Sequence, residues 1–253
     1  MATQHVIPES RLSLSIPIGD GRLEAVDLPR EGVHPALLFA NEQSPADASY
    51  QDVADRLLAG GWWNPRRIFV TSPTVGDGKT CTAFNLAWAL TTRGASVLLA
   101  ELNFDRPRFS GVLGGLPIRF GIDCAMRRLA SPADSVFFMG DELLGVAAVK
   151  NAMPRAELKQ HLPMLASFLN WGHDRYDWLI LDCPSVLSSG WNEWFRQYAR
   201  PALLVVREQH TPEVQVRQAT NRLGAGLKGV LLNDVVNAGT SDRTSDADHS
   251  LPE

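Results

Sequence analysis

Cysteine is scarce in this chain of 253 residues, with three at positions 81, 124 and 183. Their odd number and wide spacing exclude a disulfide framework and match no zinc pattern, so reduced thiols and a cytoplasmic chain are expected. A basic excess is missing as well. Twenty-four Lys and Arg face 28 Asp and Glu, a net charge of −4, which argues against a general nucleic-acid binder. No apolar run approaches the roughly 18 residues of a membrane-crossing helix. No basic start leads into an apolar stretch, so no signal peptide is expected. Tyrosine is as rare as cysteine: Tyr50, Tyr176 and Tyr198, with none further along.

What is present suits a folded α/β chain. Apolar residues make up 45% and charged residues 21%, enough for one domain with extensions. Residues 1–45 carry scattered Pro, Gly and acidic residues without period and read as an extended or loosely packed arm. From 46 to 236 strand and helix signals alternate. A helix from about 49 to 58 places Tyr50, Val53, Leu57 and Leu58 on one face. Strands are expected at 67–71, 96–100, 177–182, 202–206 and 229–233. The 96–100 run is apolar throughout, as in a parallel sheet buried on both faces, and 177–182 reads as a buried strand. Helices are expected at 81–92, 121–130 and 156–171. Another opens at Thr211-Pro212-Glu213, with Thr211 as a hydroxyl cap. Gly94 stands where a helix-ending glycine belongs. Residues 237–253 are rich in Ser, Thr and Asp and read as a disordered tail. The pattern predicts a doubly wound, mostly parallel sheet.

The segment Ser72-Pro73-Thr74-Val75-Gly76-Asp77-Gly78-Lys79-Thr80 joins the first of these strands to a helix. It carries the second half of the phosphate-loop pattern G-x-x-x-x-G-K-[ST], with Pro73 where the first glycine would be. Backbone N–H groups of such a loop and of the helix start point at phosphate oxygens. Gly76 and Gly78 permit that close approach, and the amides of Asp77 through Cys81 complete the cradle. Lys79 would reach the β and γ phosphates, and the Thr80 hydroxyl would ligate magnesium. ATP with Mg²⁺ is the expected cofactor pair, and the class is a P-loop NTPase.

Two carboxylate positions bear on catalysis. Asp182 ends the 177–182 strand, where it can reach the magnesium through water, or simply cap a turn before Pro184. After the 96–100 strand come Glu101, Asn103 and Asp105. If the chain stays extended, these share one side facing the nucleotide. The other reading is an acidic loop salted by Arg106 and Arg108. Cys81, near a helix N-terminus, either has a lowered thiol pKa or is packed and inert. Trp62, Trp63, Trp191 and Trp194 are either a contact surface or packing under loops.

On these residues the chain resembles the cytoplasmic P-loop domain of bacterial tyrosine kinases (BY-kinases) of capsule and exopolysaccharide biosynthesis, within the deviant-Walker group that includes Min- and Par-type ATPases. The stretches that carry the resemblance are 69–73 leading to Gly78-Lys79-Thr80, 85–90, 97–99 with Arg106-Pro107, Gly115-Leu116-Pro117, 176–184, 203–207 and 229–233. It implies Lys79, Glu101 and Asp182 as the catalytic set and Thr80 and Asp182 at the metal. Asn233 would lie near the adenine. An inner-membrane polysaccharide co-polymerase is the implied partner, with recruitment to that membrane and a homo-oligomer.

The departures matter. The family has two aspartates, one residue apart, where this chain has Glu101 and Asn103. Asn103 cannot accept a proton, and moving a reacting group by one methylene costs about 100-fold in rate. Ala48, Gln51 and Ala54 fill the charged positions of the family's oligomerisation helix. The tyrosine cluster that such kinases phosphorylate has no counterpart after residue 198. The resemblance therefore implies an ATP-binding regulator of polysaccharide synthesis or export, at most a weak ATPase. The alternatives are a tyrosine kinase acting in trans and a Min/Par-type positioning ATPase, which would carry a lysine where Thr74 stands.

Overall fold

The computed structural model describes residues 11–19, 22–29, 33–38, 46–60, 66–140, 142–191 and 193–233. The expected tail at 237–253 and the Trp62-Trp63 pair lie outside the described residues. Among the described residues six strands run parallel: β3 (Arg67–Thr71), β4 (Val97–Glu101), β6 (Leu144–Ala147), β7 (Trp178–Asp182), β8 (Ala202–Arg207) and β9 (Leu227–Asn233), which is the edge of the sheet and leaves Val230 and Leu232 exposed. Their spatial order is β6-β4-β7-β3-β8-β9. Every residue of β4 and β7 is buried, because helices cover both faces.

The helices divide between the two faces. On one, α1 (Asp47–Ala59) and α2 (Lys79–Thr91) pack over Ile68, Val70, Val97 and Leu99. The opposite face carries α4 (Ile122–Met126), α5 (Arg155–His173), α6 (Glu193–Tyr198) and α7 (Glu213–Leu223) over Phe69, Leu98, Leu179 and Leu204. Alternate residues of each strand thus feed opposite cores, as the two-residue period of a strand requires. A short α3 (Phe109–Val112) sends Phe109 into the first core, 4.7 Å from Phe84. The sheet is doubly wound, as the alternation of elements predicts.

The described stretches of residues 1–45 are joined to the fold and do not form the extended or loosely packed arm expected. Within them β1 (Arg11–Gly19) and β2 (Arg22–Pro29) form an antiparallel hairpin. β1 also pairs with β5 (Phe137–Met139), which pairs antiparallel with β6. Among the described residues the sheet thereby reaches nine strands, with Leu14 buried. Residues 33–38 then cross α2. The Asn85 side chain accepts from the Leu38 amide at 2.9 Å and donates to the Ala36 carbonyl at 2.8 Å, and Leu37 and Leu38 are buried. A side-chain amide can satisfy one donor and one acceptor of a passing backbone at once.

Trp191 and Trp194 are packed. Trp191 stacks on Phe195 at 5.2 Å, and Trp194 meets Phe195 edge-on at 5.1 Å. Ala54 points into the core and is fully buried, so that position presents nothing to a neighbouring subunit. The expected helix at 121–130 is only one turn long. Beyond it the chain turns at Arg128, whose φ of 60° is left-handed. Among the described residues no helix is long and apolar enough to cross a membrane.

Replacing Asn85 by Ala strands a buried amide and a carbonyl on the 33–38 crossing. Urea unfolding of Asn85→Ala is expected to show a loss of about 1–3 kcal/mol. An unchanged midpoint would mean that the crossing contributes nothing to stability.

Candidate functional site

β3 delivers the chain to the loop at Ser72, and α2 takes it up again at Lys79. Between them Gly76 and Gly78 hold φ of 100° and 90°, values that residues with a Cβ rarely adopt. A Cβ on Gly78 would lie 2.0 Å from Asn233 Nδ2, so the glycine is required by contact as well as by conformation. The first amides of α2, from Lys79 to Cys81, have no helical acceptor. No side chain caps them, and they find no other acceptor among the described residues. They are open donors at the positive end of a helix, which is the physical basis of phosphate binding.

The loop is shaped by its own side chains. Asp77 is fully buried and turns away from the open amides. Its Oδ2 accepts from the Thr74 amide at 2.9 Å and the Thr74 hydroxyl at 3.1 Å, and its Oδ1 accepts from the Thr211 hydroxyl at 2.7 Å. Asn233 Nδ2 donates to the Asp77 carbonyl at 3.0 Å. Asp77 is therefore a brace, and any contact of this residue with a nucleotide would come from its backbone. Thr211 does not cap α7, where Pro212 precedes the first turn. It ties the β8–α7 connection to the loop instead. His210, in the same connection, brings Nε2 to 3.9 Å from where a Cβ on Gly76 would sit.

A second strap comes from the residues after β7. Thr71 Oγ1 donates to the Pro184 carbonyl at 2.8 Å, and the Ser72 and Ser185 hydroxyls lie 3.0 Å apart. The Val186 amide donates to the Ser72 carbonyl at 2.8 Å. Where β7 ends, Asp182 is completely buried. Its Oδ2 accepts from the Thr80 hydroxyl at 2.8 Å, while Oδ1 is buried without a partner. Burial pushes its carboxyl above the usual range, partly offset by the Lys79 charge and the Thr80 hydroxyl. A buried carboxylate oxygen with no donor is costly unless a cation or its water completes it. Lys79 and Thr80 are nearly buried at the same spot. This donor set fits magnesium with a nucleotide phosphate: one hydroxyl, one unpaired carboxylate oxygen and a lysine beside open amides.

Glu101 is the neighbour of Asp182 across the β4–β7 pairing. The chain does not stay extended beyond it. The Leu102 amide donates to the Asp182 carbonyl, and Asn103 Nδ2 closes a turn onto the Arg106 carbonyl at 2.8 Å. Glu101, Asn103 and Asp105 consequently do not line one side, contrary to the extended reading. Nor is Asp105 salted by Arg106 or Arg108. Both oxygens of Glu101 are taken by backbone: Oε1 accepts from the amides of Arg108 and Phe109, and Oε2 from the Val149 amide at 2.9 Å. Burial is the main cause that raises its pKa, to about 7. The amides oppose the rise and the Asp182 charge adds to it.

Cys81 is packed rather than activated. Burial and the Asp182 charge raise its thiol to about 11, against the lowering that a helix start alone would bring. Its sulfur lies 3.7 Å from His34 Nδ1. Among the described residues no group of three His, Cys, Asp or Glu side chains forms a metal cluster of its own. Ser185 and Val149 act at the site without a motif to announce them, and Thr211 acts in a role other than the helix cap expected of it. Their roles arise from strand pairing between segments far apart in sequence.

This sheet order, with a glycine-lined loop on β3 and a buried aspartate on β7, defines a P-loop NTPase fold of the deviant Walker type. No family model matches the chain. Its relatives are of two kinds. A Klebsiella pneumoniae protein assigned as a tyrosine-protein kinase in the cps region is 25% identical over 84% of this chain, which spans 30% of that protein. The septum site-determining protein MinD of Synechocystis is 30% identical over 63% of the chain, covering 58% of its own length. The chain thus spans less than two thirds of both. Among solved structures, the chimerical protein CapA2B2 has a TM-score of 0.71 at 20% identity, covering 80% of this chain and 92% of that one. The kinase domain of the Escherichia coli tyrosine kinase ETK scores 0.70 at 19%, covering 85% and 86%. MinD of Pyrococcus horikoshii, complexed with Mg-ADP, scores 0.52 at 22%, covering 66% and 69%. The kinase domains and the MinD proteins share the fold described here.

The Glu101 geometry sets a pH dependence. Its folded-state pKa lies above the unfolded value of 4.5, so its contribution to stability is full below pH 4.5 and is lost as pH rises through about 7. The loss amounts to about 3 kcal/mol at most. Urea unfolding at pH 5 and pH 8 is expected to show a fall in stability that is smaller by that order in Glu101→Gln. Parallel curves for the two proteins would contradict the burial of the charge.

Proposed function

We propose that the chain is an ATP- and magnesium-binding regulator of exopolysaccharide or capsule biosynthesis or export, with its nucleotide site at Gly76–Thr80. The observation that carries this reading is the Thr80–Asp182 pair with its unpaired Oδ1, set beside Lys79 and the open amides of α2. Lys79 would hold the β and γ phosphates, and the amides of Gly76 through Cys81 would cradle them. Thr80 and Asp182 would hold the magnesium, the latter through water. Bound magnesium would supply charge neutralisation of the phosphates. Asn233 bridges the loop and the end of β9, where a base would lie against it.

The polysaccharide role rests on the relative from a cps region and on the kinase-domain neighbours. An inner-membrane polysaccharide co-polymerase is the partner this role implies, with a cytoplasmic chain recruited to that membrane and a homo-oligomer as the assembled form. Regulation is favoured over tyrosine phosphorylation by three features. Asn103 stands where an acid would be needed. Glu101, the residue expected to act beside Asp182, is fully engaged by backbone amides. Tyr50 is held against Thr82 inside the α1–α2 contact, so it is a poor acceptor.

Thermal unfolding in excess MgATP tests the reading. At ligand one hundred times its dissociation constant, a stabilisation of about 2.7 kcal/mol is expected. In Lys79→Ala the shift should disappear while the unliganded midpoint stays close to the parent value. No shift in the parent protein would remove the nucleotide from the account.

A further inference from the structure

The chain is acidic overall, yet five cations collect at one end of the sheet. Arg106 and Arg108 follow β4, Arg119 lies in the connection before α4, Lys150 follows β6 and Arg155 opens α5. All five are exposed, and none has a carboxylate within ion-pair distance among the described residues. Backbone contacts hold them together. The amides of Arg108 and Val149 meet on the Glu101 carboxylate, Lys150 Nζ donates to the Arg119 carbonyl at 2.8 Å, and the Met153 amide donates to the Phe104 carbonyl at 2.9 Å. Asp105 is the one exposed carboxylate in the same loop.

Beside this rim lies a cavity of about 100 Å³. Its walls are apolar (Leu102, Phe104, Met153, Leu158 and Pro184), and Arg155 and Asp105 also line it. It opens at the carboxyl ends of β4 and β7, where ligands of open α/β sheets bind. Guanidinium groups match carboxylates in geometry, and clustered charge of one sign attracts the opposite sign over several ångströms. An apolar hole beside such a rim adds a requirement that a bare polyanion does not meet.

We infer that this rim and cavity form a docking surface for an acidic polypeptide segment, with one bulky apolar side chain in the cavity and carboxylates over Arg106, Arg108, Arg119, Lys150 and Arg155. The anchor-and-rim arrangement is that of a peptide interface, in which a buried apolar side chain gives grip and charges give orientation and speed. The surface adjoins the phosphate loop through Pro184 and Glu101, but none of its five cations belongs to that loop, and peptide binding does not depend on the nucleotide reading being right.

Fluorescence anisotropy with the full chain tests this. The probe is a labelled peptide of glutamates around a central leucine. Control peptides carry glycine for that leucine or glutamine for the glutamates, and phosphatidylserine vesicles and short duplex DNA are parallel arms. The peptide is expected to bind in a salt-sensitive manner. Affinity should fall about tenfold or more in the double variant Arg106→Glu/Arg155→Glu and on either peptide change. The variant's unchanged unfolding midpoint would show that it is folded, and its response to MgATP reports on the phosphate loop independently. No binding by the parent protein, equal binding by the double variant, indifference to the central leucine, or binding of vesicles or DNA in place of the peptide would each overturn the assignment.

Discussion

The hydrogen bond from Thr80 to Asp182 is the contact around which the site is arranged. It joins the first turn of α2 to the end of β7, two elements about a hundred residues apart in sequence. It can form only because β3 and β7 are neighbours in register, with Val70 opposite Asp182. That register also places the residues after β7 against the entry to the loop, so the two Ser hydroxyls and the Val186 amide strap the loop from beneath. From above, Asp77, Thr211 and Asn233 brace it against the ends of β8 and β9. A loop held on both sides is preorganised, and its open amides need not be ordered when an anion arrives.

The same strand register puts two carboxylates side by side inside the protein. Asp182 and Glu101 are both buried, and two like charges in a low-dielectric setting repel strongly. The structure answers differently for each. Glu101 receives three backbone amides, while Asp182 keeps one oxygen unpaired. Glu101 thus holds the loop of Arg106 and Arg108 to the exit of β6, and Asp182 is left as the group suited to a cation. Glu101 is here a positioning residue that links the phosphate site to the cationic rim.

The legible part of the fold was its run of parallel strands. Five of the six parallel strands are near-continuous apolar runs, and the loop pattern at Gly78-Lys79-Thr80 identifies the helix that follows. β6 escaped because Leu144–Ala147 is short and contains Gly145, whose missing Cβ makes room for Tyr176 and Val136. The hairpin of β1 and β2 escaped for a different reason. Leu12, Leu14, Ile16 and Ile18 alternate with Ser13, Ser15 and Pro17 at the two-residue period of a strand, but Pro17 and the glycines at 19 and 21 read as loop residues. At the site, Lys79, Thr80 and Asp182 were readable because their chemistry demands fixed types at fixed spacing. The role of Glu101 was not, since the turn at Asn103 is set by contacts with Asp182 and Arg106 that no local pattern encodes.

The central claim is that Thr80 and Asp182 complete a divalent cation only together with nucleotide phosphate. Electron paramagnetic resonance of Mn²⁺, used as a stand-in for magnesium, measures this directly. The account predicts that the free Mn²⁺ signal falls when protein and ATP are both present, beyond what ATP alone causes. It also predicts that Asp182→Asn restores most of that signal. Mn²⁺ held equally by parent and variant, or a signal that the protein leaves unchanged, would contradict it.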